Sequence, residues 1–196
     1  MSDRPSVVVI AGPNGAGKST AAPAILRDFA GIPAFVNADV IAQGLSAFDP
    51  ETEAIEAGRI ILRRMREFAA AKRSFAFETT LASRTFASWL QRLKAERGYR
   101  IFLYYVWLRS ADEAVQRVAS RVSRGGHHVP EDIVRRRYQR SAWNFFHLYE
   151  PLADAWGCYD NSQPSGLKVI AKRSCHGTLE VVETVTWQSF RELADG

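Results

Sequence analysis

Apolar residues in this chain follow two rhythms that alternate from one end to the other. Unbroken runs such as "SVVVIA" (6–11), "SFAFETT" (74–80) and "YRIFLYYVWL" (99–108) read as strands covered on both faces. Between them, apolar positions recur at helical spacing. One helix is expected from the end of "GPNGAGK" to about Phe29. A second starts at Asp49-Pro50-Glu51, with aspartate as cap and proline in the first turn, and runs to about Lys72. "SRTFASWLQRLKAERG" is an amphipathic helix closed by Gly98, and Ser110 with Glu113 forms a capping box for the next. "RGGHHVP" breaks the pattern, and Pro130 opens a further helix to about Tyr149. "AFVNAD" is a short strand ending at Asp39, "WGCYDNS" a strand or turn, "LKVIAKR" another strand, and the tail ends in a helix.

This alternation predicts a three-layer α/β/α fold with a mainly parallel central sheet. One domain over 1–196 is expected, with an inserted helical lid at about 117–140, mobile around 121–137. A C-terminal strand and helix extension covers about 167–194. At 196 residues the chain is long enough for one well-buried domain.

Composition is ordinary for a globular protein, with 46% hydrophobic and 24% charged residues. The net charge of +5 points to an anionic partner, since arginine offers a planar fork of donors suited to phosphate. Eight arginines fall between 109 and 140, so the charge is local and a long nucleic-acid stripe is not expected. Cys158 and Cys175 form neither a metal spacing nor a CxxC pair, which suits reduced thiols in the cytoplasm. "VVVIA" is too short for a signal peptide and the longest apolar runs are strand-sized, so no membrane contact is expected.

The chemistry begins at Gly12-Pro13-Asn14-Gly15-Ala16-Gly17-Lys18-Ser19-Thr20, a full phosphate-loop pattern between a strand and a helix. Its glycines let backbone N–H groups wrap a phosphate at a helix N-terminus. Lys18 can reach the β- and γ-phosphates of ATP, and the Ser19 hydroxyl can ligate Mg²⁺. A transporter-type ATPase would need an LSGGQ-like signature and an apolar strand ending in Asp-Glu. "GLSAF" has only the Leu-Ser, and "YYVWLRS" carries arginine where that carboxylate belongs.

A kinase needs a carboxylate near the acceptor hydroxyl, cations around the phosphoryl group and a lid against water. Asp39, at a strand's carboxyl end, suits a general base, or else caps the following helix. Glu78 suits binding the acceptor or holding Mg²⁺ through water, or else lies on the surface past its strand; Thr79 and Thr80 add hydroxyls. Arg117, Arg121 and Arg124 share one helical face, and Arg136, Arg137 and Arg140 another across the glycine hinge. The two faces suit a closing lid, with Arg124 as a substrate contact, or a solvated basic hairpin. His127 and His128 read as lid contacts rather than metal ligands.

"AGPNGAGKST", "FVNAD", "FAFETT" and "RVSRGGHHVPEDIVRRRYQRS", followed by "DNS", resemble the zeta-toxin family in the right order from about Val7 to Ser162. The resemblance implies a P-loop kinase fold. Some members are toxins of toxin–antitoxin pairs that phosphorylate the 3′-hydroxyl of UDP-N-acetylglucosamine. It further implies that Lys18 and Ser19 hold ATP and Mg²⁺, Asp39 is the base, Glu78 binds the acceptor, and Arg121 and Arg137 contact phosphates. An antitoxin partner is implied as well. "GGHHVP" departs from the lid spacing of the best-known toxins, and the chain is shorter, as in a short branch of the family. The reading in competition is a nucleotide-dependent binding module or ATPase acting on nucleic acid or a protein partner.

Overall fold

A computed structural model describes residues 4–27, 32, 34–37, 50–126, 128–163 and 166–195, and the side chains of 50–57 are not described. Asp39, Asp49 and His127 therefore lie outside the described residues.

In chain order the elements are β1 (Ser6–Ala11), α1 (Lys18–Arg27), β2 (Phe35–Val36), α2 (Pro50–Ala70), β3 (Phe75–Thr79), α3 (Thr85–Arg97), β4 (Arg100–Trp107), α4 (Ala111–Val122) and α5 (Glu131–Asn144). A π-helical turn (Phe145–Tyr149) extends α5, and β5 (Ala155–Asp160), β6 (Lys168–Arg173), β7 (Leu179–Val181) and α6 (Thr184–Asp195) complete the chain. They form a three-layer α/β/α fold around one seven-stranded sheet, ordered β2-β3-β1-β4-β5-β6-β7. The first five strands are parallel and the last two antiparallel.

The unbroken apolar strands behave as their pattern predicts. Every residue of β1 is buried, with Val7, Val9 and Ala11 facing one layer and Val8 and Ile10 the other. The first layer holds Met65 and Phe68 of α2, Leu90 of α3 and Phe190 of α6. The second holds Ala21 and Ile25 of α1 with Ala114 and Val118 of α4. Local signals set several boundaries. Gly98, at φ 71, ends α3 with its N–H on Leu93 O, and Ser110 Oγ accepts the Glu113 N–H at the start of α4.

The helix α5 belongs to both layers. Val134 and Tyr138 pack with α4, whereas Ala142 and the following Phe145 pack with α6 on the opposite side of the sheet. The crossing is pinned near the carboxyl end of β4. Tyr138 donates to Leu108 O at 2.8 Å, and the Tyr105 and Ser141 hydroxyls meet at 2.8 Å. The segment expected to carry the lid's second arginine face is thus anchored in the core from its second turn onward.

The tail is part of the core as well. Phe190 is fully buried, its ring 4.8 Å from that of Tyr105 and 5.3 Å from that of Phe145, and Trp187 stacks on Trp156 at 5.4 Å. Burial of a ring of that size stabilises the fold by about 1.5–3 kcal/mol. No helix among the described residues is long and apolar enough to cross a membrane.

Candidate active site

The chain leaves β1 at Ala11 and turns at once into the glycine-rich loop. At Gly12, φ is 140° and a Cβ would stand 2.2 Å from Val106 O on β4, so only glycine lets the backbone pass. Gly15 lies against α4, where a Cβ would come within 3.1 Å of the Arg117 Cβ. At Gly17, φ is 81° and a Cβ would meet Asn161 Nδ2 at 2.6 Å. The loop is closed by the Ala16 N–H on Pro13 O at 3.2 Å and opens α1, whose N-terminus favours an anion.

Strand order assembles the rest. Because β3 lies between β2 and β1, the carboxyl ends of three neighbouring parallel strands deliver Asn37, Glu78 and the loop to one place. Glu78 sits in register with Ile10, one residue before the end of β1. Its Oε2 accepts the Ser19 hydroxyl at 2.8 Å and the Asn37 amide at 2.8 Å, and Asn37 Nδ2 also reaches Ser19 Oγ at 3.1 Å. Lys18 Nζ donates to Pro13 O at 2.9 Å and stands 3.8 Å from Glu78 Oε1. Lys18, Glu78 and Asn37 are nearly buried, at 7%, 11% and 5% exposure, while Ser19 is open to solvent. Burying a charge is costly unless it is paired, and here ammonium, hydroxyl and amide surround the carboxylate.

Thr79 and Thr80 shape the turn beyond β3: their hydroxyls accept the N–H groups of Leu81 and Ala82 at 3.1 and 3.4 Å. Leu81 has φ 56°, and Asn144 of α5 donates to its carbonyl. The loop's remaining side chains divide by exposure, with Thr20 exposed and Asn14 half-buried.

The arginines separate in the same way. Arg117, Arg121 and Arg137 are half-buried, whereas Arg124, Arg136 and Arg140 are exposed. Arg137 Nη1 lies 3.5 Å from Asn14 Oδ1 in the loop. Arg117 donates to Asn161 O at 2.7 Å and pairs with Glu113 at 2.8 Å. Arg121, in the last turn of α4, packs against Gly126, where a Cβ would stand 2.6 Å from its Cγ.

Asn37 and Asn161 were not expected at the site, and Arg117 was expected only as part of the lid's first arginine face. Asn161 follows β5, donates its side-chain amide to Ala16 O at 2.8 Å and its backbone N–H to Trp107 O at 3.1 Å, so it braces the loop from the neighbouring strand end. Both asparagines lie just past a parallel strand's carboxyl end, where ligands of open α/β sheets gather, and that position was the available signal. A cavity of about 240 Å³ lined by Phe146, Trp156 and Trp187 lies at the opposite, amino-terminal edge of β5 and is separate from this cluster.

The model of the zeta toxin family matches residues 1–151, a span holding the loop, Asn37, Glu78 and the arginine-bearing helices. This chain belongs to the zeta toxin family. An uncharacterized protein of Haemophilus influenzae is 31% identical over 131 residues, covering 65% of this chain and 88% of that one. Among solved structures, the AvrRxo1-ORF1:-ORF2 complex with ATP superposes with a TM-score of 0.77 at 16% identity, covering 96% of this chain. This zeta-toxin chain spans 64% of the length of that one. The PezAT toxin–antitoxin system of Streptococcus pneumoniae superposes with a TM-score of 0.62 at 15% identity, covering 99% of this chain and 87% of that one. At these identities the structural likeness speaks for the fold. Residues 152–196, which include Asn161 and the buried Trp187 and Phe190 of α6, lie beyond the family match.

Proposed function

We propose that this zeta-toxin-family chain is an ATP-dependent phosphotransferase that moves the γ-phosphate of ATP to a hydroxyl of a small anionic acceptor. The observation that carries the reading is the convergence of Lys18, Ser19, Asn37 and Glu78 at three adjacent strand ends, against a loop with space only for glycine at Gly12.

The residues fit the donor and its metal. The loop's close-packed glycines leave backbone as the only lining at those positions, which suits a phosphate. Ser19 Oγ and the Glu78 carboxylate are hard oxygen donors on one hydrogen bond, a set suited to Mg²⁺ that keeps waters and phosphate oxygens as its other ligands. When bound, Mg²⁺ neutralises charge on the β- and γ-phosphate oxygens. Lys18 is the loop's own cation for the same oxygens.

Asp39 is assigned as the general base on its position two residues beyond Asn37. It orients the acceptor hydroxyl and takes its proton as the new O–P bond forms and the bond to the leaving ADP breaks. Glu78, which the family resemblance assigns to the acceptor, is assigned here to the metal beside Ser19, and Thr79, Thr80 and Arg124 are assigned to the acceptor side. Arg121 and Arg137 are assigned to the charge that develops on the transferred group. Arg137 rides on a helix anchored in both core layers, so it acts as a fixed cation, and closure falls to Arg121 and the glycine turn at 125–126. Family membership favours UDP-N-acetylglucosamine or a related nucleotide-sugar as acceptor, an antitoxin as protein partner and the cytoplasm as the place of action.

The test is ADP release by purified protein with ATP, Mg²⁺ and a panel of nucleotide-sugars. Release is expected only with a suitable acceptor, and Asp39→Asn is expected to cut turnover by orders of magnitude while ATP binding persists. Release indifferent to every acceptor, or unaffected by Asp39→Asn, would overturn the assignment.

A further inference from the structure

We infer that Asn37 is a positioning residue whose amide sets the Ser19 hydroxyl and the Glu78 carboxylate in the orientation that Mg²⁺ coordination requires. The inference rests on the phosphotransferase reading of the site and adds to it a residue to which no role had been given.

The argument is one of donors and acceptors. Ser19 Oγ has one proton and two lone pairs. At 2.8 Å from Glu78 Oε2, a carboxylate oxygen that can only accept, the proton must point at Glu78. Asn37 Nδ2 then donates to Ser19 Oγ at 3.1 Å and occupies one lone pair. The second lone pair is the one left for a metal, on the residue of the cluster that is open to solvent. The same nitrogen lies 2.8 Å from Glu78 Oε2, so its N–H groups are shared between the hydroxyl and the carboxylate. Turning the amide over would set Oδ1 against Glu78 Oε2, which has no proton to offer, and would compete with that carboxylate for the single Ser19 proton, so these contacts favour the orientation with Nδ2 inward. Asn37 is 5% exposed and follows directly on β2, which limits its freedom to leave. An aspartate there would have the same shape but no donor, and would set a second carboxylate beside Glu78. The neutral amide is thus the group that orients a hydroxyl rotor and a carboxylate together.

The test measures ATP affinity with Mg²⁺ and with EDTA, by titration of a fluorescent ATP analogue against the full chain. Asn37→Ala is expected to lower the Mg²⁺-dependent gain in affinity about tenfold, the scale of a lost hydrogen bond to a charged group. Affinity in EDTA should stay within about twofold, because the loop backbone and Lys18 are untouched. Asn37→Leu, a neutral residue of similar shape without a donor, should lose as much, and in a Glu78→Gln background Asn37→Ala should lose distinctly less, since the two act through one contact. Should Asn37→Ala fold poorly in thermal melts, Asn37→Leu keeps the test open through its similar shape. Wild-type Mg²⁺ dependence in both variants would overturn the inference, and so would an equal loss in EDTA, which marks a merely structural role. Failure of the phosphotransferase reading looks different, as acceptor-independent ADP release by the unmodified protein, and leaves the metal-dependence measurement intact.

Discussion

Replacing Gly17 by alanine is expected to destabilise the protein in two separable parts, one of which a second substitution can remove. The first part is conformational. Gly17 sits at φ 81°, where an L-residue with a Cβ costs about 1–2 kcal/mol. The second is a clash with a single movable group. The new Cβ would stand 2.6 Å from Asn161 Nδ2, so that side chain must swing away and give up its 2.8 Å bond to Ala16 O, worth about 0.5–1.5 kcal/mol. Gly17→Ala should therefore cost about 2–3 kcal/mol. Asn161→Ala alone should cost the hydrogen-bond part, because the Asn161 backbone bonds to Trp107 and Arg117 survive it. In the double variant that bond is lost only once. The pair should be less destabilised than the sum of the singles by about 1 kcal/mol, well above the scatter of independent sites. Urea titrations of the four proteins supply the cycle, and in a chain of this length 1 kcal/mol corresponds to about 2–4 °C in Tm. Strict additivity, or a Gly17→Ala protein as stable as the parent, would refute the claim that Asn161 braces the loop by direct contact.

Burial pushes the hydroxyls of Tyr105, Tyr138 and Tyr149 above the usual tyrosine value, so the folded state holds these protons more tightly than the unfolded chain. Their contribution is complete below the unfolded value near 10 and is lost as pH rises past it. The unfolding free energy from urea titrations should hold from pH 8 to about 9.5 and then fall, by about 1.4 kcal/mol per pH unit for each such tyrosine; an unchanged value at pH 11 would contradict this. Burial, with the Asp160 carboxylate adding to it, likewise pushes the Cys158 thiol up, while Cys175 is exposed. Native protein at neutral pH should take up one equivalent of iodoacetamide, at Cys175, and denatured protein two, as read by peptide mass spectrometry; rapid native labelling of Cys158 would show that its strand opens.

The parts of this protein legible in its sequence are those set by neighbours along the chain. "SVVVIA", the run of loop residues from Gly12 to Ser19, the Ser110–Glu113 cap and the Gly98 stop each involve a few consecutive residues, and each appears at its expected place. The helix opened by Pro130 runs to Tyr149 as expected, its last turn π-helical, whereas the expected end of α1 near Phe29 lies outside the described residues. The three-residue β7 was missed in the tail, because "LEV" pairs on one side only and is too short to show a period.

The glycine spacing, the strand runs and the charges of the candidate site were thus determined by the sequence alone, through steric and periodic rules that act within a few residues. Tertiary structure decided which of them meet. Asn37 and Glu78, 41 residues apart, are joined by a hydrogen bond only because β3 is inserted between β2 and β1. Arg137 reaches Asn14 across 123 residues because α5 crosses the sheet, whereas Arg136 beside it faces water. Asn161 meets Gly17 because β5 ends beside the loop's own neighbour, β4. Such contacts depend on strand order and helix crossing, which are settled by burial of the whole core and leave no local trace in the residues that profit from them.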